Sequence, residues 1–421
     1  MKKKVLVRRK SFPIRKTMGK REINAVVKVL QSDKLSGFFG SPGKNWLGGV
    51  KILEFEAKWA KMFKVKNSIS VNSWTTGLIT AIGAIGIEPG DEVIVSPYTM
   101  SASASAILFY GGIPIFADID PSNFNISIDS IKKRISSRTK AIMVVHIFGQ
   151  VANMTKIMAL AKKHNLSVIE DAAQAPFVKY KGRYAGTIGH IGGFSLNYHK
   201  HIHTGEGGII VTNDSKLALR SKLIRNHGEN IVEDLKLKEI DNLVGSNYRL
   251  TEIQAAIGIH QLDRIESYIS HRKKLAKYLS GKLEVIKGLE IPKIEDGSEH
   301  AYYIYPIKFN SKIIKLSRRD FVKAVNALLP KPSVWEQTGL IEGYVKPLYL
   351  LPLFQKKIAF GKKGFPWSVN ANIKYSYASG LCPVAERMHF EELIYTPLVR
   401  EPLSKSDIDD LVEAIKKTLS D

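Results

Sequence analysis

Phe194-Ser195-Leu196-Asn197-Tyr198-His199-Lys200-His201-Ile202-His203-Thr204-Gly205-Glu206-Gly207-Gly208 is the stretch on which the reading of the chain turns. A short apolar run leads into a polar loop that carries one lysine among three histidines, and glycines close it. Strand-like Ile209 to Thr212 follows. Upstream, the apolar run Val168-Ile169 ends in Glu170-Asp171, followed by Ala172-Ala173-Gln174-Ala175. Working outward, β-rich runs alternate with helical patterns from about residue 50 to 215, which is the signature of βαβ units and a largely parallel sheet. Strands are expected at Ser68 to Val71, Glu92 to Val95, Ile113 to Phe116, Ala141 to Val145, Ser167 to Ile169 and Ile209 to Thr212. Thr155 to His164 has a helical pattern, and Leu250, Ile253 and Ile257 fall on one face of a helix.

After about residue 270 the pattern changes. Strand-like Tyr302 to Ile307 and a proline-punctuated region, Pro330 to Pro366, precede a final helix with Ile408, Leu411, Val412, Ile415 and Leu419 on one stripe. Ser406 is its expected N-cap. The organisation expected is an N-terminal segment (1–40) packing with a small C-terminal α+β domain (271–421), and a large α/β domain (41–270). In the large domain a mostly parallel mixed sheet is flanked by helices.

The chain has 421 residues, 44% of them hydrophobic and 24% charged, which is ordinary for a globular protein. A single cysteine, Cys382, excludes an intramolecular disulfide and a cysteine-rich metal site, so a reducing, cytoplasmic setting is expected. The basic N-terminus lacks an apolar core segment, so no signal peptide is read. Asn67 to Ile87 and Val93 to Ala117 are free of charge over much of their length. The first is rich in small polar residues, and the second is broken by Pro97, Gly111, Gly112 and Pro114. Both fit buried pieces of an α/β core better than membrane spans. Lys and Arg number 63 against 39 Asp and Glu, a net charge of +24. The basic residues are spread along the chain with no nucleic-acid motif, so a surface bias explains them better than nucleic acid; a phosphorylated anionic substrate is the other reading.

A lone lysine is usually a solvated surface charge. Lys200 differs because a buried carboxylate, Asp171, ends an earlier strand. Together they are the equipment for holding pyridoxal phosphate: the amine joins the aldehyde, and the carboxylate pairs with the protonated pyridine nitrogen. Glu170 and Asp171 are neighbours on a strand and face opposite ways, so only one can reach the ring. His199, His201 and His203 alternate around the loop, with Glu206 the nearby acid and Cys382 remote, and no metal site is expected. A G-x-G-x-x-G fingerprint is absent after the early strands, which counts against a nicotinamide enzyme.

The chain resembles the DegT/DnrJ/EryC1/StrS family, pyridoxal-phosphate-dependent sugar aminotransferases of fold type I. The resemblance runs from roughly Leu53 to the C-terminus. It is carried by Phe55-Glu56 through Ala60, Gly86 to Val95, Glu170 to Ala175, Ser195 to Gly208, Asn247 to Leu262, and Pro383 to Arg387. It implies that Lys200 is the Schiff-base lysine and proton shuttle, Asp171 the partner of the pyridine nitrogen, and Gln174 the residue near the cofactor's phenolic oxygen. Phosphate contact falls to the turn Ser73-Trp74-Thr75 at a helix N-terminus, where free amides favour a dianion, and to Ser195. Tyr98 matches the aromatic that stacks on the ring. Asn247 matches the residue that reaches the phosphate from a neighbouring subunit, which implies a homodimer. The family usually has glycine where Trp74 stands; the departure alters the cup and directs an indole toward the substrate or a dimer partner.

The function so implied is transfer of an amino group, from glutamate, to a nucleotide-linked keto sugar in polysaccharide biosynthesis. Two other readings stand beside it. Sugar dehydratases of the same family carry histidine at the lysine position, and His199 and His201 flank Lys200. A nonenzymatic regulator or nucleic-acid binder is suggested by the basic excess alone.

Overall fold

The computed structural model describes residues 6–332 and 337–420. Thirteen strands are found among them: β1 (Asn67–Val71), β2 (Glu92–Val95), β3 (Ile113–Phe116), β4 (Thr139–Val145), β5 (Ser167–Asp171), β6 (Lys179–Tyr180), β7 (Arg183–Tyr184), β8 (Ile191–Ser195), β9 (Gly208–Thr212), β10 (Leu289–Glu290), β11 (Tyr305–Phe309), β12 (Ile341–Glu342) and β13 (Leu393–Thr396). Seven form the main sheet in the order β1-β9-β8-β5-β4-β2-β3. Pairs from β3 through β8 are parallel, and β9 runs antiparallel to both β8 and β1. This is the mostly parallel mixed sheet that the sequence predicts.

Both faces of the sheet are covered, so its strands read as nearly continuous apolar runs. Ile69, Val93, Val95, Met143, Ile169 and Ile210 belong to one core layer. Ile94, Ile142, Val144, Val168, Ile209 and Val211 belong to the other. Helices α1 (Lys20–Gln31), α2 (Val50–Phe63), α3 (Trp74–Ala84), α4 (Ala102–Leu108), α5 (Ile128–Arg134), α6 (Met154–Lys163), α7 (Ser215–Arg225), α8 (Glu252–Leu262) and α9 (Ile265–Leu283) accompany it. In α3, every residue from Gly77 to Ala84 is buried. Arg220 of α7 satisfies its last carbonyls, with Nε donating to Ala84 O at 2.9 Å.

A second, antiparallel sheet of order β10-β11-β13-β12 packs with α9, the helix Arg318–Asn326 and the final helix Lys405–Ser420 around a third core. The N-terminal segment touches both regions. Val7 N–H donates to Leu328 O and Arg8 pairs with Asp407 and Asp410, whereas Glu22 of α1 meets Gln261 and Arg264 at the end of α8.

Three local expectations are corrected. Leu250 is not helical: Thr251 caps α8 in a reciprocal capping box with Gln254, and Leu250 enters the core ahead of it. The buried face of α8 is Ala255, Ile259 and Leu262, with Ile253 and Ile257 half-buried. The final helix begins at Lys405, so Ser406 lies in its first turn; Ser404 precedes it, and its hydroxyl and N–H both donate to Asp407. The strand expected from Tyr302 starts at Tyr305, because Tyr302 has φ +49°, outside the β region. No helix among the described residues is long and apolar enough to cross a membrane.

Candidate active site

The end of β5 separates its two carboxylates. Glu170, fully buried, turns into one core layer and accepts hydrogen bonds from His146 Nε2 and the N–H groups of Gly186, Ile188 and Gly189. Asp171 turns to the other face. Its Oδ1 accepts from Trp74 Nε1 at 2.8 Å and from the Ala173 N–H at 3.1 Å. Its Oδ2 accepts from Ser103 Oγ at 2.8 Å. Glu170 is thus consumed by structure, and Asp171 is the carboxylate oriented by side chains.

Beside Asp171 the first turn of α3 comes against β9. Ser73 is the N-cap, its hydroxyl accepting from the Thr76 N–H at 3.1 Å. A Cβ on Gly208 would lie 2.7 Å from Trp74 N and 2.8 Å from Ser73 C, so only glycine allows the strand this close. Gly208 pairs in register with Ser195. The pairing therefore brings Ser195 beside the Ser73-Trp74-Thr75 turn, where Thr75 is exposed and the first amides of α3 have no partner within the helix.

Lys200 follows β8 in a loop closed by Leu196 N–H to Gly207 O and Thr204 N–H to Leu196 O. Arg15 holds this loop from the N-terminal segment by donating to the carbonyls of Lys200 and His201, and its Nε pairs with Glu401 at 2.9 Å. Glu401 also meets Arg272, which donates to Tyr302 O. One carboxylate therefore ties the lysine loop to the segment bearing Tyr303, and Lys200 Nζ lies 4.4 Å from the centre of the Tyr303 ring.

Gln174 accepts from the Phe148 N–H at 2.6 Å and donates to Tyr344 Oη at 2.9 Å. Burial pushes the Tyr344 hydroxyl far above its ordinary range, with neighbouring Tyr303 adding to the effect. Tyr98 is fully buried and edge-on to Phe148, Tyr344 and His389. Asn247 is exposed on its own chain. Its side chain accepts from Arg249 Nε, and its carbonyl from Asn72, next to the Ser73 turn.

The three loop histidines diverge. His199 is exposed, its ring 3.7 Å from that of Tyr198 and tilted 36° to it. His201 is fully buried with Nε2 3.0 Å from Ala301 O, and His203 Nε2 is 2.7 Å from Thr17 Oγ1. Burial and then the Arg15 charge bring His203 down to about 4. No cluster able to hold a metal occurs among the described residues.

A cavity of about 990 Å³ opens beside this arrangement, lined among others by Arg15, Lys16, Arg272, Tyr303, Tyr344 and Arg400. None of the nine residues given a catalytic or cofactor role from the sequence lines it, although His199 and His203 of the lysine loop do. Tyr344, bonded to Gln174, and Tyr303, under Lys200, connect the cavity to them.

With this geometry in view, comparison with known proteins is decisive. The profile of the DegT/DnrJ/EryC1/StrS aminotransferase family matches residues 16–371. The chain belongs to this family. The match begins well before Leu53, where the resemblance was expected to start, and stops short of the Pro383 to Arg387 block. The GDP-perosamine synthase of Caulobacter vibrioides is 38% identical over 286 residues, covering 67% of this chain and 76% of that one. The UDP-N-acetyl-3-dehydro-alpha-D-glucosamine 3-aminotransferase of Acidithiobacillus ferrooxidans is 33% identical over 367 residues, 86% of this chain and 87% of its own. A solved aminotransferase from Psychrobacter cryohalolentis superposes with a TM-score of 0.80 at 30% identity, covering 97% of this chain and 99% of that chain. Trp74, where the resemblance leads one to expect glycine, is placed inside the fold. Its indole is 5% exposed within this chain, and its Nε1 donates to Asp171. The contact is decided by long-range packing of α3 on β8, which no local pattern reports. Ser103, Tyr303, Tyr344, Arg15 and Glu401 also escaped the sequence reading, for the same reason: none sits in a motif, and each matters through a distant partner.

Proposed function

We propose that this family member transfers an amino group, with glutamate as donor, to a keto sugar carried on a nucleotide, using pyridoxal phosphate. The observation that carries the reading is the pairing of a buried, side-chain-oriented Asp171 with the α3 N-terminal turn on the same side of the sheet, beside the Lys200 loop.

The residues present fit the cofactor. Among the described residues Asp171 Oδ2 has one donor, Ser103, which leaves a lone pair for a ring N–H. The Ser73-Trp74-Thr75 amides and Ser195 form a cup for the phosphate, with the positive end of α3 favouring a dianion. Bound there, pyridoxal phosphate would supply an aldehyde to carry nitrogen and a cationic ring to accept electrons. Lys200 Nζ then moves a proton to and from the carbon that gains or loses nitrogen. Arg15 and Glu401 hold its loop while it does so. Gln174 and the protonated Tyr344 form a hydrogen-bonded wall between the cofactor side and the cavity. The cavity's Arg15, Lys16, Arg272 and Arg400 give it a cationic lining suited to a diphosphate. The printed activities of the Caulobacter and Acidithiobacillus relatives, both on nucleotide-linked sugars, support this substrate class.

Purified protein mixed with pyridoxal phosphate is expected to show a visible absorbance band that Lys200→Ala abolishes. A mass-spectrometric screen of nucleotide-linked keto sugars with glutamate should yield a new amine. A colourless wild-type protein indifferent to the cofactor would sink the reading, and loss of water without gain of amine would replace transfer by dehydration.

A further inference from the structure

Trp74 is the first residue of α3, and its side chain lies within the protein rather than along the helix surface. Two glycines leave room for it. A Cβ on Gly77, one turn along α3, would come within 2.5 Å of the indole, and one on Gly193 of β8 within 2.3 Å. Gly193 pairs in register with Asp171 on β5. The indole is therefore wedged between helix and sheet with Nε1 aimed at the carboxylate, 2.8 Å from Oδ1.

The donors around Asp171 divide unequally between its oxygens. Among the described residues, Oδ1 receives the indole N–H and the Ala173 N–H, which fills its two lone pairs, and Oδ2 receives Ser103 Oγ and keeps one. Rotation of a carboxylate about its terminal torsion is soft. Hydrogen bonds to an ionised group are the strong ones, so donors on both oxygens fix the plane of this carboxylate and leave a single acceptor direction unfilled.

We propose that Trp74 is a positioning residue for the cofactor: its indole N–H holds Oδ1 and so presents the remaining lone pair of Asp171 Oδ2 to the ring nitrogen of pyridoxal phosphate. The inference rests on the cofactor reading above and adds to it the residue that sets its geometry. Where glycine would stand, Asp171 would have to be held by other donors; here the chain supplies a rigid one from α3, the same turn that faces the phosphate. One helix end then fixes both ends of the cofactor.

The test compares wild type with Trp74→benzothienylalanine, which keeps the bicyclic shape and exchanges N–H for sulfur, and with Trp74→Phe. For each, pyridoxal phosphate is titrated into cofactor-free protein by absorbance, and thermal melting is recorded without cofactor. Loss of one hydrogen bond to a charged group is expected to raise the cofactor Kd by about tenfold. It should also shift the bound-cofactor absorbance, and lower kcat with a smaller change in the KM of the amino donor. In an Asp171→Ala background the Trp74 substitutions should add little, because they act through the carboxylate. An unchanged Kd and spectrum in both variants would overturn the inference, even with a lowered melting temperature, since that is what a packing role predicts. Full additivity with Asp171→Ala would overturn it as well. If wild type itself takes up no pyridoxal phosphate, the cofactor reading fails first and this inference falls with it.

Discussion

Lys200 and Asp171 are ordinary residues given unusual company. Asp171 has an indole and a hydroxyl for neighbours, both from elements far away in the chain. Lys200 Nζ sits over the Tyr303 ring at 4.4 Å, an arrangement worth about 0.5–2 kcal/mol according to its exposure. Tyr303→Phe keeps the aromatic face and should transfer amino groups near the wild-type rate. Tyr303→Leu removes the face and should be slower by roughly two- to thirtyfold, the rate equivalent of that energy. Steady-state kinetics on the two variants decide it: equal rates would mean the ring is packing only. The carboxylate and the lysine were legible in the sequence because one ends a strand-like run and the other lies in the polar loop that follows the next such run. Tyr303 was not, since Ala301-Tyr302-Tyr303-Ile304-Tyr305 reads as strand and core, and only the fold brings it under the amine.

Among the elements, six of the seven main-sheet strands and α6 came within two residues of their expected bounds, because apolar runs bounded by turns are a local property. The α8 start was missed because a capping box overrode the apolar period: Thr251 and Gln254 fix the first turn, and Leu250 is left to enter the core. The β9–α3 approach makes a sharper demand. Gly208→Ala would place a Cβ against the backbone of Ser73 and Trp74, which cannot swing aside as a side chain can. The substitution should destabilise the protein by about 1–3 kcal/mol, the usual cost of overpacking, and weaken cofactor uptake by distorting the turn. Urea unfolding alongside a pyridoxal phosphate titration measures both. Normal stability with normal uptake would show that the turn has slack.

At the scale of the whole molecule, the third core and its margins make an acid-sensitive joint. Burial, and then the charge of Lys273, lower His300 from 6.5 to about 3. Burial with Arg272 and Arg15 takes His201 well below its ordinary value. The unfolded chain would take up these protons near pH 6.5, while the folded protein resists. Their contribution to stability is therefore complete above 6.5 and lost as pH falls toward 3, by up to about 1.4 kcal/mol per pH unit for each histidine. The melting temperature should drop between pH 7.5 and 5. His300→Asn, whose amide oxygen can accept the Tyr302 N–H that His300 Nδ1 now accepts at 2.9 Å, should flatten the dependence. An unaltered slope would remove His300 from the account. Assembly is tested by mixing subunits. If Asn247 completes a neighbour's site, inactive Lys200→Ala and impaired Asn247→Ala proteins should regain activity together once mixed tags show exchange, because one site in each heterodimer has both residues intact. Exchange without recovery would confine Asn247 to its own chain.

The sequence by itself determined the α/β class, most strands of the main sheet, the family, and which residue types could do the chemistry. All of these follow from local periodicity or from blocks of residues read in order. Tertiary structure alone decided that Glu170 is spent on His146 and three backbone amides while Asp171 is held by Trp74 and Ser103. It alone sent His199, His201 and His203 to different surroundings, and closed Arg15 and Glu401 over the lysine loop. A strand pattern says that two neighbouring carboxylates point apart, but not what each will meet. That depends on which distant helix end or loop packs there, and so on the glycines at 77, 193 and 208 that let those surfaces touch.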